Sequence, residues 1–155
     1  MNAIELLTQD HKTIKALLGE LEATTARGVK KRTELLDRID AELKVHTSIE
    51  EEIFYPAFKK AGDGKDDNEA YFEAMEEHRA AGELVLPDLL KTEPASEQFS
   101  GRAKVLKELV EHHADEEEKE MFKRARQLFD KAELDRLGKQ MAQRKNELKR
   151  HADAA

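Results

Sequence analysis

The chain has no cysteine, no tryptophan, three prolines and seven glycines among 155 residues, and only 5% of it is aromatic. Without cysteine there can be no disulfide, thiolate cluster or Cys nucleophile, so any metal must rest on imidazole and carboxylate. Few aromatics and glycines beside 39% charged residues suit solvated amphipathic helices and poorly suit a sheet. Positive charge is also short, with 27 Lys and Arg against 34 Asp and Glu and a formal charge of −7. No basic patch is available to displace counterions from phosphates, which argues against a nucleic-acid partner. Nowhere do 18 apolar residues follow one another, and Met1-Asn2-Ala3-Ile4-Glu5 carries acid where a secretory signal needs basic and then apolar residues. The expectation is a soluble cytoplasmic protein without a membrane partner, its length fitting one domain with a real core.

What the chain does contain is helical periodicity. Asn2 with Glu5 forms a capping box, and Ile4, Leu7, His11, Ile14, Leu18 and Leu21 follow at steps of three and four until Thr24-Thr25-Ala26-Arg27-Gly28. A second helix is expected from about 33 to 60, with Leu36, Ile39, Leu43, His46, Glu50, Ile53 and Ala57 on one seam. Pro56 should kink it rather than end it, because Ala57-Phe58 continues the apolar face. Asp66 with Glu69 can open a third helix whose seam reads Tyr71, Met75, His78, Gly82, Val85 and Leu89. The fourth, about 97 to 128, carries Leu106, Leu109, His113, Glu117 and Met121. Asp130 with Glu133 caps a fifth, marked by Leu134, Leu137, Met141 and Leu148, which reads as a packing helix or a dimer contact.

Polar residues occupy core positions of the first four helices, and they obey one arithmetic. His46 and Glu50 stand four residues apart, which aims an imidazole and a carboxylate at one point, and so do His113 and Glu117. The differences 113 − 46, 117 − 50 and 78 − 11 are all 67. One histidine on an apolar face is ordinarily a hydrogen-bonded core residue. Four of them with two carboxylates are different, because an unpaired buried carboxylate costs several kcal/mol. Simple His–Glu ion pairing would leave imidazole lone pairs or charge unsatisfied. The six residues His11, His46, Glu50, His78, His113 and Glu117 therefore read as a metal site, and mixed N/O ligands suit iron or manganese better than zinc. The acids Glu51, Glu52, Glu116, Glu118 and Glu120 read as a solvated face and are left outside it. His112 and Glu116 are also four apart, but choosing them breaks the offset and turns Met121-Phe122 away from the position matching Phe54-Tyr55.

Asp10-His11, His46-x-x-x-Glu50 followed by Glu51-Glu52-Ile53-Phe54-Tyr55-Pro56, Glu77-His78, and His112-His113 with its acidic run together resemble the hemerythrin-like, or HHE cation-binding, family. The resemblance covers about residues 3 to 126, and Leu134-x-x-Leu137-Gly138-x-x-Met141 resembles an extension found on many bacterial members. It implies an all-α, up-down-up-down four-helix bundle over residues 1–128, with residues 129–155 as a C-terminal helical extension of the same domain. It further implies two iron ions, oxo- or hydroxo-bridged, with Glu50 and Glu117 as bridges and His11, His46, His78 and His113 as terminal ligands. Oxygen-carrying members usually bear another histidine where this chain has Ala74. Two six-coordinate irons need about twelve ligand positions, and this set leaves two open. Tyr55 and Tyr71 lie near the seam as candidates to fill one. Reversible oxygen carriage is thus less expected than binding or sensing of O2, NO, peroxide or iron. The alternatives are an enzyme acting on peroxide or nitrogen oxides, and a helical interaction module with a structural metal, in either case as monomer or homodimer.

Overall fold

The computed structural model describes residues 1–154, and among them there is helix and no strand. Helix α1 spans Ala3–Glu22; α2 (Val29–Ile49) runs through a π-helical segment, Glu50–Phe54, into α3 (Tyr55–Ala61). The third rod is α4 (Lys65–His78), a π segment at Arg79–Val85, and α5 (Leu86–Leu90). The fourth is α6 (Glu97–Glu116), a π segment at Glu117–Met121, and α7 (Phe122–Leu128). These four rods form the bundle, and α8 (Lys131–Ala154) packs across α1 and α2.

Local signals explain most boundaries. Glu5 N–H donates to Asn2 Oδ1 at 2.8 Å while the Glu5 carboxylate takes the Asn2 N–H, the expected capping box. Glu133 N–H likewise donates to Asp130 Oδ1 at 2.8 Å. Two starts differ from expectation. The second helix begins at Val29 behind Gly28, which offers no side-chain cap, and the third begins at Lys65 behind Gly64, not through an Asp66–Glu69 box. Gly64 has φ +88°, where a Cβ would be strained, so the glycine itself sets that turn. Asp67 stabilises the same corner by accepting from Asp63 N–H at 2.8 Å and from two nitrogens of Arg124 at 2.9 Å.

Neither Pro56 nor Pro87 ends its helix. A π segment lies just ahead of each, and Tyr55 and Leu86 bond to carbonyls five residues back, at Glu50 and Ala81. Proline is not the whole cause, because Phe122 bonds to the Glu117 carbonyl in the same way with no proline nearby. All three segments begin at, or directly after, a polar core residue: Glu50, His78 and Glu117. An extra residue in the turn re-aims the side chains beyond it, and such bulges concentrate at functional sites.

The polar residues lie in a layer that divides the core. On one side pack Leu6, Leu7, Ile49, Phe54, Phe58, Phe122, Phe129 and the α8 residues Leu134, Leu137 and Met141. On the other pack Ile14, Leu18, Leu35, Ile39, Leu86, Leu89, Phe99 and Leu106. Buried Arg32 closes that far end, donating to Thr24 Oγ1 (3.0 Å), Ser100 Oγ (2.9 Å) and the Pro94 carbonyl while its guanidinium lies over Phe99.

The seat of α8 depends on one close approach. A Cβ on Gly138 would fall 2.4 Å from the Met1 carbonyl oxygen and 2.8 Å from Ala3 N, both backbone atoms that cannot swing away. Gly138→Ala should therefore lower stability by about 1–3 kcal/mol through overpacking. Thermal unfolding of the two proteins checks this, and equal melting temperatures would mean that α8 does not sit against the start of α1.

Candidate metal centre

The structure brings all six seam residues together in the mid-layer of the bundle. His11 (4% exposed), His46 (4%), Glu50 (0%), His78 (7%), His113 (9%) and Glu117 (3%) come from four different rods. They form two sets of ligand-type atoms that share both carboxylates: His11, His46, Glu50 and Glu117, and then Glu50, His78, His113 and Glu117. Glu117 offers Oε1 to His11 Nε2 at 3.0 Å and Oε2 to His113 Nε2 at 3.2 Å, one oxygen to each half. Glu50 Oε1 stands 3.0 Å from both His46 Nε2 and His78 Nε2. The halves are near copies: the His11 and His46 rings meet at 66° with centroids 5.0 Å apart, and the His78 and His113 rings at 67° and 4.8 Å.

Each imidazole is held from behind by a carboxylate. Nδ1 of His46 meets Asp10 at 2.9 Å, of His11 meets Glu118 at 2.9 Å, of His78 meets Glu51 at 2.9 Å, and of His113 meets Glu77 at 2.7 Å. An ionised carboxylate only accepts, so each Nδ1 carries the hydrogen and each Nε2 turns a lone pair inward. Glu51 and Glu118, set aside as solvated face, thus contact the site. The sequence did hold the signal, because 118 − 51 and 77 − 10 are both 67, the same offset that links the histidines. The supports cross between halves: Glu118 of the second holds His11 of the first, and Glu51 of the first holds His78 of the second. Helix α8 joins this network, since Lys145 Nζ donates to Asp10 Oδ1 behind His46.

The interior of this cage wants a cation. His11 Nε2, His46 Nε2, Glu50 Oε2 and Glu117 Oε1 are buried and have no hydrogen-bond partner. His11 Nε2 and Glu117 Oε1 approach to 3.0 Å without hydrogen-bond geometry, as expected of lone pairs aimed at a common point between them. That spacing is also what a metal imposes, for bonds near 2.1 Å place neighbouring donors of an octahedron about 3 Å apart. The protonation energetics agree. Burial pushes the His46 imidazole down, but Glu50 and Asp10 outweigh it and hold the group at about 10. Burial likewise opposes the charged Glu50 carboxylate, yet His46 and His78 keep it well below the usual range. Against burial, Glu50 likewise raises His78 and Glu117 raises His113; a divalent cation satisfies the same carboxylate field and leaves the lone pairs free to bind it.

Directly beside the ligands, the two halves differ in one ring, that of Tyr55. Tyr55 Oη donates to Glu117 Oε2 and lies 3.1 Å from His78 Nε2 and 3.2 Å from His113 Nε2. Its counterpart by the offset, 55 + 67, is Phe122, which stacks on His11 with no polar atom to offer. Tyr71 packs edge-on against Tyr55 and stays outside the cage. His112, the competing register, is exposed and pairs with Glu116 and Glu77. Beside the cage opens a cavity of about 140 Å³, walled by Ile14, Leu43, Leu86, Val110 and Ala114, with His11, His46, His78 and His113 along it and Lys44 and Glu83 also lining it.

Removing a support should weaken metal affinity without removing a ligand. Glu51→Gln and Glu118→Gln should each lower it about 10–100-fold, measured by competition with a chromophoric chelator. Unchanged affinity in both would reduce these carboxylates to surface charges.

Comparisons with known proteins agree with this geometry. A family model described as the Hemerythrin HHE cation binding domain matches residues 2–125. Uncharacterised proteins of Mycobacterium tuberculosis (strain H37Rv) and Mycobacterium bovis are each 31% identical over 150 residues, 96% of this chain and 88% of theirs. The crystal structure of a hemerythrin HHE cation binding domain-containing protein from Mycobacterium kansasii superposes with a TM-score of 0.84 at 30% identity, covering 98% of this chain and 90% of that one. A DNA nickase of Nostoc sp. is 27% identical over 122 residues, only 33% of its own length. A buried cage of four histidines and two shared carboxylates, on a bundle of this topology and with these relatives, makes the chain a member of the hemerythrin HHE cation-binding domain family.

Proposed function

We propose that the chain binds a pair of iron ions, with Glu50 and Glu117 bridging, His11 and His46 on one iron, and His78 and His113 on the other. We read the pair as a receptor for O2, NO or peroxide. The observation that carries this reading is the sharing of both carboxylates between two complete ligand sets. One isolated set would describe a single-ion site. Bound there, iron supplies a Lewis acid and a reversible source of electrons.

The protein's own residues define what that site can accept. The adjoining cavity is of a size for a small molecule and brings largely apolar walls up to the four histidines. Tyr55 holds a proton at the second half. Burial first, and then Glu117 and Glu50, push its phenol well above the ordinary value, so it stays protonated and donates. A second reading, turnover of peroxide, is favoured by this one group, because cleaving an O–O bond requires a proton at the departing oxygen. Residues 129–155 work as part of the same unit, since Lys145 steadies Asp10 and through it His46.

Elemental analysis of protein purified without a metal-affinity tag tests the first reading. About two irons per chain with ferric charge-transfer absorption are expected. Zinc alone, or a content that stays at one metal or none after anaerobic Fe(II) loading, would overturn it. Tyr55→Phe tests the second: peroxide consumption should fall about 100-fold while iron content holds. An unaltered rate would leave Tyr55 a packing residue and the centre a binding site.

A further inference from the structure

The offset of 67 shows how the cavity beside the cage arises. Ile14 and Lys15 of α1 match Ala81 and Gly82 of the third rod, since 81 − 14 and 82 − 15 are both 67. Ile14 is buried in the core, and Lys15 reaches Asp115 at 2.7 Å. Ala81 and Gly82 bring at most a methyl group to the same places. The backbone differs as well. Residues 12–18 are unbroken α-helix, whereas their counterparts Arg79–Val85 form the π segment, no residue of which is buried. Small side chains on a widened helix thin the wall of the second half, and Ala81, Gly82 and Glu83 line the cavity of about 140 Å³.

That volume exceeds what a diatomic ligand needs. One water takes a share of about 30 Å³ and O2, NO or hydrogen peroxide not much more, whereas an engineered apolar cavity of about 150 Å³ holds benzene. The inner wall is buried and apolar, built from Ile14, Leu43, Leu86, Val110 and Ala114, and it ends on the four imidazoles. Charged residues also line the cavity, but most have partners elsewhere. Glu51 and Glu77 turn carboxylate oxygens to Nδ1 of His78 and His113, and Lys44 Nζ donates to Asp40 at 3.1 Å. Lys44, Glu51 and Glu83 are exposed, so the charge gathers where the cavity meets solvent.

We propose that this cavity receives the apolar group of a small organic hydroperoxide, R–OOH with R of about four to seven carbons, its peroxide end toward the histidines. Ala81 and Gly82 set the size of R. This deepens the peroxide-binding reading given above and rests on it. Burying R against Leu43, Leu86 and Val110 favours such a ligand over hydrogen peroxide, which leaves those walls unused. Gly82 decides the limit. A Cβ there meets no heavy atom within 4 Å, so a longer side chain has room to enter without displacing the backbone. Inside a helix, glycine is otherwise a poor choice.

Two measurements on the full-length protein test this. Benzyl alcohol, an unreactive probe of suitable size, should bind the purified protein at one molecule per chain in isothermal titration calorimetry, and Gly82→Leu should weaken that binding at least about tenfold. Gly101→Leu makes the same change at an exposed helical glycine outside the cavity, where a Cβ also meets nothing within 4 Å, and should bind the probe as the parent does. In iron-loaded ferric protein, the optical spectrum should respond to tert-butyl hydroperoxide at a half-saturating concentration at least about tenfold below that of hydrogen peroxide. Gly82→Leu should erase this preference while iron content holds. Ala81→Ile, which restores the residue of the matching position, should act in the same direction if Gly82→Leu folds poorly. No binding of benzyl alcohol, equal loss in the Gly101 control, or an equal response of the parent to both peroxides would overturn the inference and leave the metal reading standing. A parent protein that takes up no iron would instead overturn the metal reading, and the hydroperoxide ligand with it.

Discussion

Two carboxylates, Glu50 and Glu117, sit at 0% and 3% exposure in the middle of a helical bundle, and the surrounding structure is arranged to make that tolerable. A charge buried without compensation costs several kcal/mol, comparable with the whole stability of a small domain. Compensation here comes in successive shells of polar groups. Four imidazoles surround the two carboxylates, and four further carboxylates hold the imidazoles, with Asp10 in turn meeting Lys145 of α8. Among the innermost atoms, His11 Nε2, His46 Nε2, Glu50 Oε2 and Glu117 Oε1 are left without hydrogen-bond partners, as a cation-binding cage requires.

The same constraint explains irregularities that would look like flaws in an ordinary bundle. The core is split into two apolar clusters because a polar layer runs between them. The helices that carry Glu50, His78 and Glu117 each widen into a π segment at or just after those residues. An uninterrupted α-helix repeats the same face every 3.6 residues; the inserted residue lets Tyr55 and Phe122 reach the cage while Phe58 and Ala125 return to the core.

The constant offset of 67 gives the site its symmetry, and the exceptions to it carry the individual character of this protein. Tyr55 against Phe122 gives one half a proton donor and the other only a ring. Ala74 against Leu7, and Glu73, Glu116 and Glu120 against Leu6, Ile49 and Ile53, line a small crevice on one flank while α8 covers the other. A scaffold that is symmetric in its candidate ligands and asymmetric in its surroundings can give the two halves of its cage different chemistry.

The sequence by itself determined the helical class, the caps at Asn2 and Asp130, and the six polar seam residues, because helix periodicity and a constant offset are properties of spacing alone. The supports Asp10, Glu51, Glu77 and Glu118 obeyed that offset too. Glu51 and Glu118 lay among other acids, though, and spacing does not separate a carboxylate facing an imidazole from one facing water. The role of Tyr55 over Tyr71, the exposure of His112, the seat of α8 on Gly138 and the small acidic crevice were decided only by tertiary structure. Each depends on what a neighbouring rod places opposite the residue, and a distance between rods is not written in the periodicity of any one of them.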